Sequence, residues 1–159
     1  MSNKAGDPSW DGAISWATDR LEKAVHEMMK SDIFDGAVVE TRPAWTLPNK
    51  IVIGRVRDSG SGSREFWVIA GDLPTDCINA DTCRTPRDAA RHFALKWQLG
   101  AEQLRDPEAR KSQGINQDRD RDWEAASNEL ASVAEGLYEV VQADKVWGDS
   151  ADFPPTSTS

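Results

Sequence analysis

The sequence predicts an α+β fold: an N-terminal helix, a three-stranded antiparallel sheet, and two C-terminal helices packed on one face. Three observations lead there. Apolar residues recur at steps of three and four from Trp10 to Met28. The pattern changes to alternation between Lys50 and Ala70, broken by a Gly/Ser stretch, and the wider spacing returns twice after Thr85. A step of three to four places side chains on one face of a helix, and a step of two places them on one face of a strand.

Each element has its own signals. Asp7-Pro8 has the form of a helix start, with a capping carboxylate followed by a proline that needs no amide partner. Trp10, Ile14, Ala17, Leu21, Ala24, Val25 and Met28 then form one stripe, and Gly36 lies just past its end. Val38 and Val39 open an extended segment. The run Arg42 to Pro48 holds Pro43 and Pro48, so it is neither a helix nor a central strand throughout. Ile51, Ile53 and Arg55 alternate with Val52, Gly54 and Val56. The turn Asp58 to Ser63 follows, and then the strand Glu65 to Ala70. Two such runs around a short Gly/Ser loop make a hairpin. Gly71 to Arg84 reads as irregular. Thr85-Pro86-Arg87-Asp88 starts a helix whose stripe is Ala89, Ala90, Phe93, Ala94, Trp97, Ala101 and Leu104. Asp106-Pro107 interrupts it, and Glu108 to Asp122 reads as a charged, mobile loop. Trp123, Ala126, Ser127, Leu130, Val133, Ala134, Leu137, Val140 and Val141 define the last helix.

With 159 residues and a hydrophobic fraction of 38%, the chain is long enough for one core. We assign residues 1–6 to a flexible lead, 7–147 to a single domain and 148–159 to a disordered Pro/Ser/Thr-rich tail. The formal net charge of −8 disfavours nucleic acid as a partner, because phosphate backbones are repelled. The same charge suits a basic protein partner. Between Asp122 and Asp149 stand seven acids against one base, Lys145. The first residues lack the apolar core of a secretory signal, and no apolar run approaches the ~20 residues of a spanning helix. The chain therefore reads as cytoplasmic and not membrane-bound. In that compartment Cys77 and Cys83 are most simply thiols.

No set of residues announces a reaction. The spacing of Cys77 and Cys83 is wider than that of zinc sites, and no second close pair exists, so no metal or other cofactor is expected. Either cysteine with His92 would make a nucleophile–base pair, but nothing supplies the orienting third group. Gly60-Ser61-Gly62-Ser63 joins two strands, so it lacks the helix N-terminus that a phosphate cradle uses. Asp72 and Asp76 flank Gly71 and Pro74 in a tight corner. Converging carboxylates suit acid–base chemistry, yet aspartates in such corners commonly bond their own backbone. Arg84, Arg87 and Arg91 follow closely and offer charge partners. Seven tryptophans against one tyrosine is an unusual balance. Tryptophan serves both cores and binding hot spots.

The segment Phe66 to Asp76, with its Gly71-Asp72-Leu73-Pro74-Thr75-Asp76 corner, resembles a bacterial family of domains of unknown function. Pro43-Ala44-Trp45, a Trp-bearing first helix and the Pro86-Arg87 helix start are similar too. The resemblance covers roughly residues 10 to 104 and implies a fold, not an activity.

Two functions are expected from these features. The first is a small acidic protein-binding module, exemplified by a toxin-neutralising immunity protein. The second is a small-molecule binder or enzyme with a site at the Asp72/Asp76 corner. No catalytic residue is assigned. The binding residues expected are Trp45, Trp67, Asp72, Asp76, Arg87, Arg91 and His92. The sequence leaves the oligomeric state open.

Overall fold

The computed structural model describes residues 8–31, 33–34, 36–60, 64–114 and 122–148. The expected lead, residues 149–159 of the expected tail, the Asp7 cap, the tip of the Gly/Ser turn and residues 115–121 of the expected loop lie outside the described residues. The elements are α1 (Pro8–Met28), β1 (Val38–Leu47), β2 (Ile51–Asp58), β3 (Glu65–Gly71), β4 (Asp76–Asn79), a 3-10 turn (Ala80–Thr82), α2 (Pro86–Arg105), α3 (Pro107–Ser112), α4 (Trp123–Gln142) and α5 (Asp144–Trp147). The α+β class and the antiparallel sheet hold. The sheet has four strands in the order β1-β2-β3-β4, not the expected three. Four helices, α2 to α5, follow it among the described residues, not two.

The added strand lies in the stretch read as irregular. Asp76 and Cys77 pair antiparallel with Ile69 and Val68. Asp and Asn are poor strand formers, so the free edge of β3 imposes this pairing where local propensity does not. The added helix α3 replaces the start of the expected loop. Asp106 caps it by accepting from the Glu108 amide, with Pro107 in the first turn.

The chain forms two compact units. The first takes in residues up to Ala89 and resumes at Asp144, and the second is Ala90–Ala143. In the first unit α1 lies on one face of β1, β2 and β3. Its stripe residues Ala17, Leu21, Ala24, Val25 and Met28 pack with Val52, Val56, Phe66, Val68 and Ala70 into a buried cluster. Each fully buried leucine or valine there contributes about 1.5–3 kcal/mol. Gly54 makes this approach possible. A Cβ at that position would stand 2.3 Å from Leu21 Cδ2 and 2.7 Å from the Arg42 carbonyl oxygen.

β1 is an edge strand, which reconciles Pro43 with a strand position: an edge needs no amide on its open side. The register slips between Val38 and Glu40 and again between Pro43 and Trp45. Such irregularities blunt an edge against pairing with another chain. The β2–β3 connection is organised by Asp58, whose side chain is fully buried. Its Oδ1 accepts from the amides of Gly60 and Arg64, each at 3.2 Å, and its Oδ2 accepts from Arg64 Nη2 at 3.2 Å.

In the second unit Arg110 ties the connection between α2 and α4. It donates from Nη1 to the Leu104 carbonyl at the end of α2, and its guanidinium lies 4.8 Å from the Trp123 ring at the start of α4. No described helix is long and apolar enough to cross a membrane.

Candidate functional site

The expected corner is built by backbone demands. Gly71 has φ +129°, and a Cβ there would meet the Lys50 carbonyl oxygen at 2.1 Å. Only glycine fits where β3 ends against the β1–β2 turn. The Lys50 carbonyl accepts from the Asp72 amide at 2.7 Å, and the Gly71 carbonyl accepts from Arg20 Nη2 of α1 at 3.2 Å. The Asp72 side chain is exposed. Asp76 is half-buried and its Oδ1 accepts from the Cys77 amide at 2.8 Å. That bond caps the first residues of β4, as turn chemistry expects.

The two tryptophans expected to bind are buried. Trp45, 2% exposed, stacks on Trp147 at 4.0 Å and 18°. Its indole N–H donates to the Val146 carbonyl at 2.9 Å. Arg87 completes this cluster: Nη2 donates to Asp144 Oδ1 at 2.7 Å, and its guanidinium lies 5.9 Å from the Trp147 ring. Three elements of the first unit are thereby clasped together: the edge strand, the α2 start and the short α5 turn. Trp67, also 2% exposed, donates to the Cys83 carbonyl at 2.9 Å and carries Arg55 4.9 Å from its ring centre. Both indoles are satisfied within the first unit, as buried tryptophans usually are.

Arg91 and His92 belong to the second unit, on α2, the first exposed and the second half-buried. The structure therefore brings Trp45 and Arg87 together through Trp147 and places Asp72 and Asp76 on either side of one turn. It sets Trp67 in a separate contact. Cys77 and Cys83 are half-buried, and the described residues hold no group of three metal-type ligands.

Beside Trp67 the sheet carries a set of charges. Glu40 accepts from Arg42 at 2.9 Å and from Arg57 at 3.3 Å, and Glu65 accepts from Arg55 at 3.0 Å. Each arginine faces a carboxylate. At their partial exposure each pair contributes about 0–1 kcal/mol.

Among the described residues the second unit has an open groove between α2 and α4, and its residues were not among the expected binding residues. The helices are joined at one end by Ser127, which is 1% exposed. Its hydroxyl donates to the Ala101 carbonyl at 2.6 Å and accepts from Arg105 Nε at 2.8 Å. Arg105 also donates to Asn128 Oδ1. The groove beside this joint has a volume of ≈ 320 Å³ and is lined by Gln98, Glu102 and Arg105 of α2 and by Ser127, Ala131 and Glu135 of α4, over Ala101. Ser127, Ala131 and Glu135 follow at steps of four, so one face of α4 forms the whole wall.

Along the same helices stand three exposed large apolar side chains: Leu95 at 51%, Leu99 at 59% and Tyr138 at 38%. Their signal was present in the sequence. Leu95 and Leu99 are out of phase with the buried stripe of α2, where Phe93, Ala94 and Trp97 face inward, while Tyr138 stands at the margin of the α4 stripe of Ala134, Leu137 and Val141.

No curated protein and no solved structure matches the chain. A family model does match, over residues 11–147, from within α1 to the last residue of α5. The match passes well beyond the residues 10 to 104 that carried the resemblance and takes in both units. The chain therefore belongs to the family described as domain of unknown function DUF4826.

Proposed function

We propose that this chain is a small acidic cytosolic protein-binding module for a basic partner, in its specific form a bacterial toxin-neutralising immunity protein. The observation that carries this reading is the set of exposed acids on α4. Glu124, Glu135 and Glu139 are all exposed there, Tyr138 stands among them, and Glu129 flanks the stripe. A helix face with acids and no bases attracts a positively charged surface over nanometre distances and speeds the encounter. The overall charge of −8 acts in the same direction. The alternative, a small-molecule or catalytic site at the Asp72/Asp76 corner, draws no support from the geometry. One carboxylate faces solvent, and the other bonds the adjacent backbone amide.

The test is affinity capture from the native cells with the tagged chain, read by mass spectrometry at low and at high salt. One stoichiometric basic protein is expected, with capture falling as salt rises. Capture of no partner, together with turnover of a small molecule by the purified chain, would sink the reading.

A further inference from the structure

Resting on the binding reading above, we infer that the α2–α4 groove is the docking surface and that its occupant is a basic amphipathic segment of the partner. That segment lays apolar side chains on Leu95, Leu99 and Tyr138 and sets lysine or arginine against Glu102 and Glu135.

The placement follows from helix geometry. Leu95, Leu99 and Glu102 stand at steps of four and three, so they share one stripe of α2. Glu102 is the point where this stripe meets the groove. On α4, Glu135 ends the groove wall, and Tyr138 and Glu139 occupy the next turn. Exposed apolar residues scattered singly need no explanation. Here the two most exposed large apolar residues among those described are one helical turn apart on the stripe that runs to Glu102, and the groove lining carries a carboxylate from each helix. An amphipathic segment lying in a groove engages such a surface through anchors spaced three and four residues apart.

Charge selects the sign of the occupant. Glu102 and Glu135 are exposed, while the one cation of the lining, Arg105, bonds Ser127 and Asn128. An acidic or purely apolar segment would cover these carboxylates without an opposite charge, which is costly. A lysine or arginine instead pairs with them while its methylene stem lies along Ala131. The volume of ≈ 320 Å³ suits one or two such side chains.

The probe is a labelled synthetic helix of about 18 residues with leucines three and four apart and lysines between them. A scrambled peptide of the same composition and a glutamate-for-lysine version accompany it. Binding is followed by fluorescence anisotropy, and the bound surface by amide NMR shifts of the full chain. Saturable binding of the ordered basic peptide alone is expected, with shifts concentrated on α2 from Leu95 and on α4 up to Glu139. Glu102→Lys with Glu135→Lys is expected to weaken binding at least about tenfold. Asp19→Lys with Glu22→Lys makes the same charge change on exposed positions of α1 and is expected to weaken it less than about threefold. Leu95→Ala with Leu99→Ala shortens two exposed side chains outside the buried stripe and is expected to weaken binding of the basic peptide, so it tests the anchors without emptying the core. Equal weakening by both charge variants, or equal binding of the scrambled peptide, overturns the groove and leaves a generally acidic binding protein standing. No binding of the basic peptide overturns the groove as well. The broader reading falls separately, only if affinity capture also yields no partner.

Discussion

Trp45 and Leu99 exchange the roles that their chemistry suggests. Trp45, a residue type enriched at binding hot spots, is shut against α5, with its ring stacked and its N–H bonded. Leu99, an ordinary core-forming residue, stands 59% exposed on a helix. The wider regions differ in the same way. Around Trp45 and Gly71, the named polar groups largely answer one another within the first unit. Along the α2–α4 groove, carboxylates from two helices face solvent, and three large apolar side chains of the same helices stand well exposed. A distinctive residue can thus mark a backbone or packing demand, while a contact surface can be made of common residues in an unusual phase.

The sharpest way to break this comparison is at the clasp. Trp147→Ala removes the ring stacked on Trp45 and leaves a void against a buried indole. It is expected to cost about 3–5 kcal/mol, read as a lower midpoint in denaturant unfolding at unchanged slope. A loss below about 1 kcal/mol would make Trp147 a peripheral group and reopen Trp45 as a contact residue.

Next in size is Gly71→Ala. The added methyl must enter a left-handed backbone position against the Lys50 carbonyl. Thermal unfolding is expected to report a loss on the order of 3 kcal/mol. Wild-type stability in this variant would remove the structural account of the corner.

The smallest effects sharpen the contrast. Leu99→Ala and Asp72→Ala each alter an exposed side chain and are expected to stay within about 0.5 kcal/mol of wild type. They should part company in binding: the leucine variant weakens capture of the basic probe, and the aspartate variant does not. If Asp72→Ala weakens capture and Leu99→Ala leaves it unchanged, the two regions have been assigned the wrong way round.

How far the sequence reached depended on whether a local rule was in force. Thr85 caps α2 as its position before Pro86 implies, accepting from the Asp88 amide at 3.1 Å. The β2–β3 hairpin and the stripe of α1 followed from periodicity, and Pro43 correctly denied β1 a central place. β4 escaped because its four residues take their conformation from the neighbouring strand. α3 escaped for another reason. Asp106-Pro107 has the same form as Asp7-Pro8, but the charged residues after it carry no apolar stripe, so the signal reads as a break. The groove was hidden because Leu95, Leu99 and Tyr138 stand outside the stripes that periodicity picks out. Trp45 could not be placed without Trp147, because the contact joins positions 101 residues apart or more.

That separation governs the order in which the molecule is made. During synthesis the edge strand leaves the ribosome long before Trp147, and every residue of the second unit emerges in between. The α1-covered sheet can form early from near neighbours, but the Trp45 face must wait for the end of the domain. Closure over so long a stretch is slow, and an exposed edge with an uncovered indole invites premature pairing in the interval. The proline and the register slips lie on that same strand. They guard the nascent chain as much as the finished one.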